Sequence, residues 1–138
     1  MQAKQKQKGV AAVEFAIVLP ILLMIVFGIV DFGIGLYNKA VLTNAAREGA
    51  RAGIVLRSPK YTAADVNAVV QQYAANYLIT FGTTNTPVVD ATVGIGGSFG
   101  QPLTVKVSWT YSGLWLGRLY SAFANPLVLS STAVMNNE

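Results

Sequence analysis

The sequence predicts an α+β fold: a long N-terminal transmembrane helix continues as the spine of a small external domain, which adds a second helix and a three-stranded antiparallel sheet. Three observations carry this expectation. Residues 10–30 form an apolar run whose single charge is Glu14, about as long as the ~20 residues an α-helix needs to cross a bilayer. Residues 31–56 hold no proline and keep apolar or small residues at three- and four-residue intervals, the period of a helix with one buried face. Finally, Leu103, Val105, Val107, Trp109 and Tyr111 alternate with Thr104, Lys106, Ser108 and Thr110, the period of a strand with one apolar and one wet face.

The membrane segment comes first. In hydrocarbon a lone segment can bond its own amides only as an α-helix. Lys4, Lys6 and Lys8 precede the run and Asp31 follows it, which places the N-terminus in the cytoplasm and the remainder outside. The run passes into Asp31, Phe32 and Gly33 rather than into small residues at a cut site, a pattern that argues against a cleaved secretory signal. Glu14 is the oddity, because an ionised carboxylate costs at least ~2 kcal/mol at the membrane centre, though less near an interface. Two readings stand: it snorkels to headgroups, or it awaits a cation from another molecule. Pro20 removes a backbone hydrogen bond to Ala16, and Gly28, Gly33 and Gly35 weaken the exit from the membrane. Transmembrane helices tolerate such residues; in an assembling helix they would also let it bend on leaving lipid.

One helix is expected from about residue 10 to about residue 56, roughly 70 Å at ~1.5 Å per residue. Its distal half has Leu36, Val41, Leu42, Ala45, Gly49, Gly53 and Leu56 on the repeating face. Ala45, Gly49 and Gly53 form a small-residue stripe, a surface on which another backbone can approach closely. Arg47 and Arg51 share a face and repel slightly, with Glu48 as partial compensation. A solvated charged face fits them, and so do two guanidinium groups meeting carboxylates of a neighbouring subunit.

Pro59 ends the spine. Thr62 is the expected cap of a second helix with Asp65 in its first turn, and Val66, Val69, Val70, Tyr73, Tyr77 and Phe81 form its packing face, with Gly82 as the stop. Val89, Ala91, Val93 and Ile95 read as a first strand and residues 96–102 as a glycine-rich turn. Residues 103–111 are the second strand and 127–135 the third. Between these two, the apolar segment 113–123 reads as a short helix or turn closing the core, or as an exposed patch for a partner.

Composition narrows the function classes. Over half of the 138 residues are hydrophobic and an eighth charged, the balance of a membrane-anchored chain. The net charge of +4 resides in residues 1–60, with eight basic and three acidic side chains; residues 61–138 hold two and three. Without residues 1–9 the chain is nearly neutral, so no nucleic-acid footprint remains. Cysteine and histidine are both absent, which removes disulfides, thiolate metal sites and the commonest general base. No catalytic residues, metal site or cofactor is expected.

Gly9 followed by Val10-Ala11-Ala12-Val13-Glu14-Phe15, with Pro20 in the apolar run and Ala45-Ala46-Arg47-Glu48-Gly49-Ala50-Arg51-Ala52 downstream, resembles the TadE-like pilin or pseudopilin family. The resemblance extends over roughly residues 8–53. It implies a pilin-like fold and division into a prepilin-type leader (1–9), a long helix (10–56, transmembrane over 10–30) and an external domain (57–138). It further implies cutting between Gly9 and Val10 by a prepilin peptidase. Glu14, the fifth mature residue, would pair with the new amino terminus of a neighbouring subunit. The implied partners are other pilin subunits, the peptidase, a pilus assembly platform and membrane lipid before assembly. The implied place is the bacterial cytoplasmic membrane and then the pilus. The alternative is a permanently anchored periplasmic or extracellular binding module that uses residues 114–123. An anchored enzyme would need a nucleophile–base pair or metal spacing that the sequence lacks.

Overall fold

A computed structural model of the chain describes residues 3–114, 120, 122–123 and 125–138. Its first element, α1, is one α-helix over Ala3–Ile54, unbroken through Pro20. It thus begins before residue 10 and ends two residues short of Leu56. Burial divides α1 in two. From Gly9 to Val30 no residue is buried, whereas from Asp31 onward Asn38, Leu42, Ala45, Gly49 and Gly53 recur on a buried face. The distal half is therefore the spine of a head, and the proximal half is apolar surface with none of the described residues burying it. Leu36 and Leu56 depart from the expected face: both are exposed, Leu36 at an open cavity beside β3 and Leu56 because the helix has already ended.

The second helix, α2, spans Ala63–Tyr77. Thr62 caps it reciprocally: its hydroxyl accepts from the Asp65 N–H while the Asp65 carboxylate accepts from the Thr62 N–H. The bond from the Thr62 N–H, and after it the one that the Thr62 hydroxyl donates to Asp65 Oδ2 at 2.7 Å, hold the Asp65 carboxyl below the usual range. Val66, Val70 and Ala74 form the buried face, one residue per turn. The helix stops four residues before Phe81, because the Asn38 side chain of α1 grips the backbone of Ile79, accepting from its N–H at 3.0 Å and donating to its carbonyl at 2.9 Å. Leu78 is already extended. Phe81 turns left-handed at φ 48, and both it and Tyr77 are exposed, a correction to the expected stripe.

Three strands follow: β1 Val88–Val93, β2 Pro102–Tyr111 and β3 Leu127–Asn136. They form an antiparallel sheet in the order β1-β2-β3, with Val89 opposite Val107, Leu103 opposite Met135 and Tyr111 opposite Leu127. The alternation of β2 aims Leu103, Val105, Val107 and Trp109 at the two helices and leaves Lys106 and Thr110 on the open face. Strand β1 ends earlier than Ile95. Its register shifts between Asp90 and Val93, and Gly94 then adopts φ +85 so close to β2 that a Cβ would lie 2.0 Å from the Pro102 carbonyl oxygen. Only glycine tolerates both demands.

Candidate functional site

The residues singled out by the sequence fall in two places. Gly9, Val10, Glu14 and Pro20 all lie on the exposed half of α1. Val10 and Glu14 are four residues apart and share a helix face; Glu14 makes no ion pair among the described residues. On the distal half, Arg51 donates to Glu48 through Nε and Nη2, at 3.1 and 2.5 Å. This contact, chiefly by hydrogen bonding, holds the Glu48 carboxyl below its ordinary value. Arg47 is exposed without an ion pair among the described residues. The exposed Arg51–Glu48 pair adds little to stability, and it leaves Arg47 as the cation facing outward.

The stripe of Ala45, Gly49 and Gly53 lies elsewhere. It is buried inside the chain's own head. A Cβ at Gly49 would stand 2.5 Å from Val70 Cγ2 and 3.3 Å from Val66 Cγ1, and one at Gly53 would stand 2.5 Å from Leu103 Cδ2. The close approach is thus made by α2 and β2. Arg47 and Arg51 remain on the outer side, where they are available to other molecules.

Sequence reasoning missed the residue that joins the two halves. Asp31 closes the apolar run, yet its side chain is only 2% exposed. Tyr111, the last residue of β2, donates its hydroxyl to Asp31 Oδ1 at 2.5 Å, and the Leu114 N–H donates to the same oxygen at 3.0 Å. The charge that seemed to mark the water boundary is instead an internal bolt between the spine and the start of the β2–β3 connection. A carboxylate at the end of an apolar run, with an unpartnered tyrosine ending an alternating strand, was the available signal.

Burial, then the hydrogen bond and charge of Asp31, push the Tyr111 hydroxyl far above its ordinary value of 10.0. Because the folded-state value is raised, the contribution is complete below about pH 10 and is lost as pH climbs above it. Thermal melts of the full chain in micelles between about pH 8 and 11 should therefore show a steeper alkaline loss of stability for the native chain than for Tyr111→Phe. Equal slopes would mean that Tyr111 is not held in this way.

An unburied apolar helix long enough to span a bilayer, joined end-on to an α+β head, defines a membrane-anchored protein with its anchor at the N-terminus. Residues 9–51 match the family model described as TadE-like protein, so the anchor and most of the spine resemble that family. Neither a curated protein nor a solved structure matches the chain. The match ends before α2. Of the apolar segment 113–123, residues 115–119 and 121 lie outside the described residues; Tyr120, Ala122 and Phe123 are helical and exposed.

Proposed function

We propose that this chain is a structural subunit, a minor pilin or pseudopilin, of a Tad or type IV-like pilus, cleaved after Gly9 and assembled through α1. The observation that supports this best is the division of α1. Its distal half is used up by the chain's own head, while its proximal half, in the TadE-like segment, is buried by none of the described residues. Apolar surface that faces lipid before assembly faces other helices afterwards, so little of it meets water in the transfer.

Within that scheme the prepilin peptidase removes the lysine-rich residues 1–9 on the cytoplasmic side of the inner membrane, with the head outside. The new amino group of Val10 then pairs with Glu14 of a neighbour. Desolvation offsets much of the attraction in such a buried pair, so its role is to set the register between subunits. Pro20 gives the helix freedom to bend as it leaves lipid, and Arg47, with Arg51 and Glu48, meets carboxylates of the next head. The role is structural and not catalytic.

The test is the intact mass of the protein isolated from its native membrane or pilus fraction. A chain that starts at Val10 is the expected result. A chain that still starts at Met1 would overturn processing and favour a permanently anchored binding module.

A further inference from the structure

We propose that the base of the head is a lipid-binding surface: phospholipids of the leaflet on that side cover it, one acyl chain lies in the groove between α1 and β3, and hydrocarbon reaches from about Phe15 to about Leu36 instead of over residues 10–30. This rests on the membrane-anchored reading of α1.

The first support is Asp31. A span is ended at a charge because that charge seeks water, but Asp31 is buried and bonded by Tyr111 and Leu114. Asp31 borders the groove between α1 and β3, but its carboxylate is satisfied by donors of the head and does not need water. Beyond it the outward-facing residues of α1 remain apolar: Phe32, Leu36 and Tyr37 are all exposed. The next charge in the chain is Lys39. The helix rises about 32 Å from Phe15 to Leu36, which matches a hydrocarbon core of ~30 Å. This register moves Glu14 out of hydrocarbon into the cytoplasmic headgroup layer, where an ionised carboxylate is cheap. At the other end Lys39 lies roughly 5 Å above Leu36, at the depth of the phosphates it would meet.

The second support is the groove. Phe32, Gly35 and Leu36 of α1 face Leu127, Leu129 and Tyr120 across a largely apolar cavity of about 470 Å³, with Lys39 at its rim. That volume is in the ~300–1,000 Å³ range of ligand pockets. The groove adjoins the end of the exposed apolar stretch of α1, because Phe32 lines it. Phe123 is 87% exposed, and Tyr111 pairs with Leu127 at this end of the sheet. Tyr37 and Tyr120 supply the amphipathic rings that favour a membrane interface. In water this patch would be a liability; against lipid it prolongs the anchor.

The absence of cysteine makes the test clean. Single-cysteine variants Val26→Cys, Leu36→Cys, Leu127→Cys and Phe99→Cys of the full chain are labelled with an environment-sensitive fluorophore and placed in phosphatidylcholine–phosphatidylglycerol vesicles. Lipids carrying a quencher at shallow or deep acyl positions are then added. All four sites are exposed or half-exposed, and Phe99, as exposed as Phe123, lies in the glycine-rich turn at the opposite end of the sheet. The expected result is loss of most fluorescence at Val26 with the deep quencher and at Leu36 and Leu127 with the shallow one, and none at Phe99. If Val26 is quenched while Leu36 and Leu127 behave like Phe99, the lipid surface is overturned and the anchor stands. If Leu36 and Leu127 are shielded from both lipid quencher and aqueous iodide, a second protein copy covers the groove and the lipid proposal falls. If Val26 itself is unquenched, the anchor reading fails and takes this inference with it.

Discussion

Replacing Asp31 with alanine should lower the melting temperature of the head by about 8–16 °C. The substitution takes the carboxylate away from the Leu114 N–H and from the Tyr111 hydroxyl, which keeps only the backbone carbonyl of residue 31 at 3.0 Å. A donor deprived of its partner costs about 1–3 kcal/mol, so the combined loss is about 2 kcal/mol, and each kcal/mol moves the midpoint of a domain this size by about 4–8 °C. Asp31→Asn keeps one acceptor oxygen and should lose less than half as much. The measurement is the near-ultraviolet circular dichroism of the full chain in micelles, where Trp109, 2% exposed and donating through Nε1 to the Asn85 carbonyl, reports head packing. A shift of only a few degrees in Asp31→Ala would show that the bolt contributes nothing.

Gly49→Val should destabilise the head by about 2–3 kcal/mol, the cost of forcing extra methyl groups into a filled core. Even a Cβ at this position would press on Val70 Cγ2 at 2.5 Å, and the short valine side chain has no flexible end that can swing aside. Adding Val70→Ala opens that space. The double variant should then be more stable than the sum of the single effects by about 1 kcal/mol or more. Gly33→Ala is the control, since nothing approaches within 4 Å of its would-be Cβ. Additive losses in the double variant would mean that Gly49 does not serve to seat α2. These melts also separate two uses of small residues, because a stripe reserved for a neighbouring subunit would leave the head's own stability unchanged.

How much was legible followed the range of the interactions. Thr62 was readable as a cap because Asp65 is only three residues away, and the bounds of β2 and β3 were readable because alternation is a local signal. The early end of α2 was not. It depends on Asn38, forty-one residues upstream of Ile79, and nothing near Tyr77 betrays it. The bulge after Asp90 was hidden likewise, since Gly94 is required by the Pro102 carbonyl on the next strand. The burial of Asp31 was hidden because its partner, Tyr111, lies eighty residues on. The stripe of Ala45, Gly49 and Gly53 was visible, but spacing alone carries no information about whether the approaching surface is in the same molecule.

The polar bonds that fasten the head to α1 also decide how the molecule bears a load. Asp31 holds the end of β2, Asn38 holds Ile79, and Thr43 accepts from Ser131 of β3 at 3.0 Å. They lie in series along the helix, about 10 and 8 Å apart in rise. A pull along the axis of α1 therefore runs through the helix backbone and reaches the sheet as shear, shared among these fasteners and the bond from the Glu138 N–H to the Ile54 carbonyl at 3.3 Å. No strand is peeled from its neighbour bond by bond. The head is carried alongside the helix, so tension along α1 leaves the strand pairing outside its path.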